Sequence, residues 1–404
     1  MKSSNYFFIA TALFVGASNS AIAFGSKNVV KDCVGVYPNS NVDSSSGLQE
    51  CINASGSESA IYFPPGFYTI KKTITVSHNN VSLYSDSRSS AQLKFTGCGD
   101  LIKFSKVNTP MYNGSVKGLW LRGSGLCAQT ALHFVDGSWF SVEDLEISNF
   151  KDSTQSSTGI QTNGREGFNV RNLRIEADNP VVIAKNPNHD YLDADHFHFE
   201  NFYSSIGAGI FRWHISLKDP GNKPITVSNM TIDGQNSMTG GCGILKWVQE
   251  SPAISVSSSL KIANVRHEQM TSGCDKEIDI QMKSALQSLI IDNVSFQGPF
   301  LPEGIAINVH LVDGMTVRNT SYYNDIAEKQ KIPATFINAT STKYIQLENN
   351  GIYPFSRNII AIDPLGAHLV WKSGPFTGKE CCYVDPKDPS ASVRTPDSGI
   401  LGQP

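Results

Sequence analysis

Carboxylates recur at fixed places along this chain. Asp233 and Glu268 each close a copy of one short phrase, "VSNMTID" and "IANVRHE". If successive copies stack as neighbouring strands, the two side chains stand roughly 5 Å apart. At that separation one carboxyl can protonate a glycosidic oxygen while the other attacks the sugar or activates water, as in a retaining glycosidase. Glu176 closes a copy two strands before Asp233, a wider gap nearer to that of an inverting enzyme. Asp279, in "EIDIQMK", joins Asp233 and Glu268 as a candidate catalytic carboxylate.

A second set of residues is basic and amide-rich. Arg212, His214, Lys246, Gln281, Lys283, Asn308 and His310 alternate with apolar residues in short stretches, so they are expected to point outward in one row. His133, Gln161, Asn163 and Lys185 continue the row upstream. Such a surface suits an anionic, polyhydroxylated chain. In a β-elimination, Lys246, Arg212 or Lys283 would neutralise a uronate carboxylate, and His214 or another basic group would take the proton beside it. Tyr203 offers a ring for stacking on a sugar. Trp213 and Trp247 alternate with the outward cations and are expected in the core.

The elements that hold these residues come from a repeat. Nine phrases, from "VKGLWLRG" through "VRNLRIE" and "IDNVSFQ" to "LENNGIY", share a third position occupied by Gly118, Asp144, Asn172, Asn201, Asn229, Asn264, Asn293, Asn319 and Asn349. Their spacings are 26, 28, 29, 28, 35, 29, 26 and 30 residues. Another apolar stretch precedes each phrase, so every repeat holds two or three short strands. Such periodicity predicts an all-β chain, a right-handed parallel β-helix in which each coil stacks on the last. Asn tolerates the left-handed conformation at a tight corner, and its amide can bond to the next Asn in a ladder. Alternation in "IANVRHEQM" turns His267 inward and leaves Arg266 and Glu268 facing water.

Cysteine spacing agrees with this register. Cys98 and Cys127 are 29 residues apart and Cys242 and Cys274 are 32 apart, so each pair can bridge adjacent coils, while Cys33 with Cys51 fastens the N-terminal segment. Cys381 and Cys382 are adjacent. The start of the chain has Lys2, the apolar run "FFIATALFVGA" and the small residues Ala21 and Ala23, the pattern of a secretory signal peptide cut after residue 23. Disulfides are expected to form in that compartment. The formal charge of -3 argues against nucleic acid or a membrane surface as partner. The loop "NPNHDYLDADHFHFEN" gathers His189, Asp190, Asp193, Asp195, His196 and His198. Its Asp spacing allows calcium, although a lip over the groove with an incidental acidic cluster is the preferred reading.

Residues 48–87, "LQECINASGSESAIYFPPGFYTIKKTITVSHNNVSLYSDS", resemble the start of pectin-lyase-like right-handed β-helix proteins, which have a capping helix, the "FPPGFYTI" stretch and then the first coils. With the Asn repeat, the resemblance covers about residues 45–370. It implies a β-helix and a polysaccharide as partner. The catalytic motifs of polygalacturonases (Asn-Thr-Asp, Asp-Asp, Gly-His-Gly, Arg-Ile-Lys) and of pectate lyases are absent, so no catalytic residue is carried over. Asp43 as N-cap, with Leu48, Cys51 and Ile52 at helical spacing, predicts the capping helix.

The expected layout is a signal peptide over 1–23, an N-terminal cap over 24–58, the β-helix over 59–372, and a Pro- and Ser-rich tail over 373–404. The expected function is a secreted enzyme that degrades an acidic polysaccharide, by hydrolysis through a carboxylate pair or by β-elimination. A non-catalytic carbohydrate-binding or adhesive β-helix and a homotrimeric, tailspike-like depolymerase are the alternatives, the chain being a monomer or a homotrimer.

Overall fold

The computed structural model describes residues 25–107, 109–185, 192–218, 225–249, 256–268, 270–298, 304–324, 335–353, 360–362, 368–373, 383–384, 392–395 and 399–400. The signal-peptide segment, His189, Asp190, Cys381 and Cys382 lie outside the described residues. Strands pair in parallel with those of the preceding and following coils. Among the described strands the one antiparallel pairing joins Ser392–Thr395 to Gly399–Ile400. The fold is a parallel β-solenoid with three faces. Face A carries the opening strands, including Gln129–Val135, Thr158–Asn163, Asn179–Ile183, Trp213–Lys218 and Gly243–Val248. Face B precedes the Asn corner and face C follows it. Longer strands such as Glu166–Ala177 and Lys276–Gly298 pass from one face to the next.

Alternation along each strand sends one set of side chains inward, and parallel stacking places like on like. On face A the inward column runs Ile102, Leu132, Ile160, Val181, Ile215, Leu245, Ile278, Ile307 and Ile337, all of them at most 2% exposed. Phe104 and Phe134 on face A continue into Phe168 and Phe197 on face B as a run of neighbouring rings in the core, with successive ring centroids 5.0, 5.3 and 5.4 Å apart. Each such burial contributes about 1.5–3 kcal/mol. Trp247 is fully buried, and Trp213 packs partly buried against the core.

Two corners use the left-handed conformation. At the first, between faces B and C, Asp144, Asn172, Asn201, Asn264, Asn293 and Asn319 all have φ between 51° and 53°. Their side chains bond along the axis: Asn172 Nδ2 donates to Asp144 Oδ1 at 3.0 Å, Asn201 to Asn172 at 3.1 Å, and Asn293 to Asn264 at 2.7 Å. Asn229 does not belong to this ladder, contrary to the sequence expectation. Register places Met230 beside Leu260 and Asn236 beside Val265, so the corner of that coil is Gly234, at φ +90°. Asn229 instead occupies the second corner, between faces A and B. There the column is Asn80, Asn113, Trp139, Gly167, His196 and Asn229, with φ between 52° and 67° throughout.

Disulfides join Cys33 to Cys51, Cys98 to Cys127 and Cys242 to Cys274, with Cα atoms 5.3, 5.7 and 5.1 Å apart. Helix α1, Ser45–Asn53, buries Leu48, Cys51 and Ile52. Its Gln49 bonds both backbone groups of Thr75. The N-cap is Ser44 and not Asp43. Asp43 Oδ1 accepts from the backbone N–H groups of Ser45 and Lys71 at 3.0 and 3.2 Å, tying the helix start to the next coil.

Candidate functional site

The proposed Asp233/Glu268 pair does not form. Asp233 ends the strand on face B, in register with Glu200, whereas Glu268 lies on face C between Thr239 and Gln297. The misplacement follows from assigning Asn229 to the wrong corner. Asp233 completes the ladder where that coil lacks an Asn. Its Oδ1 accepts from Asn264 Nδ2 at 2.7 Å and from the Gly234 N–H at 2.6 Å, and its Oδ2 is bound by Lys261. Burial alone would raise its pKa, but the bonds from Lys261, Gly234 and Asn264 hold it below the ordinary carboxylate range. Glu268 pairs with Arg266 on its own strand.

Several candidates of the basic row also leave it. His214 is fully buried, with Nδ1 2.7 Å from Ser204 Oγ and Nε2 3.0 Å from the Gly240 carbonyl. The strand begins at Trp213, and its outward residues are Ser216 and Lys218. Arg212 lies just before that strand and donates from Nε to the Gln155 carbonyl at 3.1 Å. Glu176 and Tyr203 stand on face C, where Glu176 pairs with Lys151 and Arg174 lies 5.4 Å over the Tyr203 ring. Lys283 is exposed in a stretch where the register between coils shifts.

Face A keeps the rest together. In register, Lys246 faces Asp279, Asp279 faces Asn308, and Gln281 faces His310. Asn308 Nδ2 donates to Asp279 Oδ1 at 2.7 Å, and Gln281 Nε2 donates to the same oxygen at 3.2 Å. Among the described residues, Oδ2 has no hydrogen-bond partner. Asn338 continues the row by donating to Asn308 Oδ1 at 2.7 Å. Nδ1 of His310 contacts Thr340 Oγ1 at 2.7 Å, which leaves Nε2 without a protein partner among the described residues. Lys246 is exposed and has no ion-pair partner among them. His133, higher on the same face, differs: its two ring nitrogens contact Asp100 at 2.9 Å and Asn163 at 2.8 Å.

Two features went unread in the sequence. An open concavity of about 550 Å³ is lined by residues including Lys151, Asp152, Gln155 and Asp178. Asp178 is buried and its Oδ2 accepts from the Asp152 N–H at 2.9 Å. Burial, helped by the charge of Asp152, pushes its pKa up, while hydroxyl and N–H groups of Thr154, Ser156 and Ser157 hold that of Asp152 well below the carboxylate range despite some burial. Inside the core, His267 Nδ1 lies 2.6 Å from Glu277 Oε2 with both residues fully buried. This contact lacks the alignment of a hydrogen bond and is an ion pair when His267 is protonated; among the described residues Glu277 Oε1 has no hydrogen-bond partner. Burial lowers the pKa of His267, but Glu277 outweighs it and the net shift is upward; burial and nearby His267 push His214 well down. Among the described residues no group of three or more His, Cys, Asp or Glu side chains could hold a metal.

The model of a family described as rhamnogalacturonase A/epimerase, pectate lyase-like, matches residues 27–244, just over half of the 404 residues. The chain belongs to this family. The match ends just before Lys246. Similar solved structures include ORF18 of Geobacillus virus E2, at 12% identity and TM-score 0.43 over 87% of this chain and 62% of that one. The chain thus spans less than two thirds of the phage protein. The A-module of a mannuronan C-5 epimerase from Azotobacter vinelandii gives 12% identity and TM-score 0.42 over 86% and 98% of the two chains. An α-1,3-glucanase catalytic unit from Streptomyces thermodiastaticus gives 12% and 0.40 over 87% and 70%. No curated protein matches the sequence.

Proposed function

We propose that the protein is an enzyme acting on an acidic polysaccharide laid along face A, by removing the proton beside a uronate carboxylate. The observation that carries this reading is the grouping of Lys246, Asp279 and His310 on one outward face in consecutive coils. Coils repeat at roughly 4.8 Å, so the three groups reach one sugar residue. The Lys246 ammonium pairs with the carboxylate and makes the neighbouring C–H more acidic. His310 Nε2 takes that proton, and the C–H electrons pass into the enolate of the carboxylate. Asp279, fixed by two amides, accepts a sugar hydroxyl on Oδ2 and sets the register of the chain. In elimination the enolate expels the glycosidic oxygen, which takes a proton from water as it leaves, and the His310 imidazolium returns its own proton to water; in epimerisation water protonates the opposite face of the carbon and His310 likewise releases its proton to water.

One carboxylate flanked by a cation and an imidazole fits proton abstraction better than the two-carboxylate chemistry of hydrolysis. The family's description, which includes an epimerase, is compatible with this. Three disulfides fit an oxidising compartment, and we read the enzyme as exported. No helix among the described residues is long and apolar enough to cross a membrane.

The test is a panel of rhamnogalacturonan, polygalacturonate and alginate, assayed for unsaturated ends, for reducing ends, and for deuterium gained from heavy water. Unsaturated ends or deuterated uronate are expected, and both should vanish in Lys246→Ala and His310→Ala. Reducing ends without unsaturation or deuterium would sink proton abstraction, and binding without any product would point to an adhesive protein.

A further inference from the structure

The second left-handed corner is interrupted by aromatic rings. Its column reads Asn80, Asn113, Trp139, Gly167, His196, Asn229. Asn and Gly are the residues that this conformation accommodates, and Asn113 Nδ2 donates to Asn80 Oδ1 at 2.8 Å. Trp139 at φ +63° is a bulky residue held where it costs free energy. The indole nonetheless stays 48% exposed, so burial does not explain its presence.

Its position is fixed from below. A Cβ at Gly167 would fall 2.3 Å from Trp139 Cε3 and 2.6 Å from Cδ2, so the indole packs closely on a residue with no side chain. The exposed His196 ring follows one coil further on, with its centroid 6.3 Å from that of Trp139. Tyr112, 40% exposed, lies on the other side, in register with Ser138. Amides of Asn113 and Asn229 bound the row at either end.

We propose that Trp139, seated on Gly167, is a stacking platform for a pyranose ring of the polysaccharide, a binding subsite about 19 Å along the axis from Lys246, four coils away. An isolated aromatic face rimmed by amides and an imidazole matches a sugar, whose C–H face is apolar and whose edge carries hydroxyls. A protein partner would call for a wider apolar patch. The proposal rests on the polysaccharide reading but not on the chemistry assigned to Lys246, Asp279 and His310. Backbone strain at Trp139 is then retained for function, at some expense in stability.

Binding of a rhamnogalacturonan octasaccharide, measured by isothermal titration calorimetry with thermal melting alongside, tests this. Trp139→Asn should weaken affinity about tenfold while the melting temperature stays level or rises, because Asn suits the corner. Trp139→Phe should keep most of the affinity, and Gly167→Ala should weaken it with Trp139 still present. Unchanged affinity in Trp139→Asn would overturn the platform, as would a lower melting temperature with unchanged affinity, which would make the indole a packing residue. Absence of octasaccharide binding by the wild type would also overturn it. Trp139-dependent binding by a wild type that gives no turnover would count against the catalytic reading alone.

Discussion

The corner around Asp233 and the face around Asp279 carry the same functional group in opposite circumstances. Asp233 accepts from Lys261, Asn264 and Gly234, with both oxygens engaged. Asp279 uses one oxygen for Asn308 and Gln281 and, among the described residues, leaves the other open, with Lys246, which has no ion-pair partner among them, in register one coil away. The first carboxylate closes a gap in a structural ladder; the second is held in place and still has an acceptor to offer. What separates a site from a scaffold here is hydrogen-bonding capacity that the fold does not use. The two corners repeat the lesson, since one is a ladder of Asn side chains completed by Asp144 and Asp233 and the other admits Trp139 and His196.

The largest effect that would break this contrast is on turnover. Lys246→Ala or His310→Ala should cut kcat on the active polysaccharide by about 10²–10⁴-fold, while Glu268→Gln, on face C, should stay within about twofold of wild type. Loss of activity in Glu268→Gln equal to that in Lys246→Ala would restore face C as the site. A smaller effect should appear in stability. Asp233→Ala removes acceptors from one ammonium, one amide and one N–H, and should cost about 1–2 kcal/mol after allowing for the water that reaches this corner. Denaturant unfolding would show it, and a loss as large in Asp279→Ala would erase the distinction between the two carboxylates.

The smallest effect concerns the buried His267–Glu277 pair. The pKa of His267 is raised on folding, so its contribution is complete below about pH 6.5 and is lost as pH climbs through the folded value. His214 runs the other way: its depressed pKa makes a contribution present above about pH 6.5 and lost as pH falls. Melting temperature should therefore decline on the alkaline side. The double variant His267→Gln with Glu277→Gln should lose that decline and keep the acid-side fall due to His214. A variant whose alkaline slope matched wild type would exclude the pair as its source.

Much of the architecture was legible because a solenoid repeats its own errors and its own solutions. Asn172, Asn201, Asn264 and Asn293 recur at near-constant spacing, and the cysteine spacings follow the same coil length. The site was harder to read because two corners demand the same residue type. Asn229 matched the phrase yet belongs to the other corner, and the 28 and 35 residue gaps beside it were the available warning. That slip carried Asp233 onto the wrong face. His214 failed for a related reason, since strand phase cannot be set when a turn ends at an unmarked residue. Trp139 could have been found by aligning "NNVSLY", "YNGSVK" and "SWFSVE", where it stands in the place of Asn80 and Asn113.

The most direct test places Asp279→Asn beside Asp233→Asn on one polysaccharide, with turnover and melting temperature measured for both. The account predicts that Asp279→Asn loses at least about tenfold in kcat/KM with its melting temperature held, while Asp233→Asn keeps its activity and melts lower. Equal activity in the two variants, or a loss confined to Asp233→Asn, would contradict it.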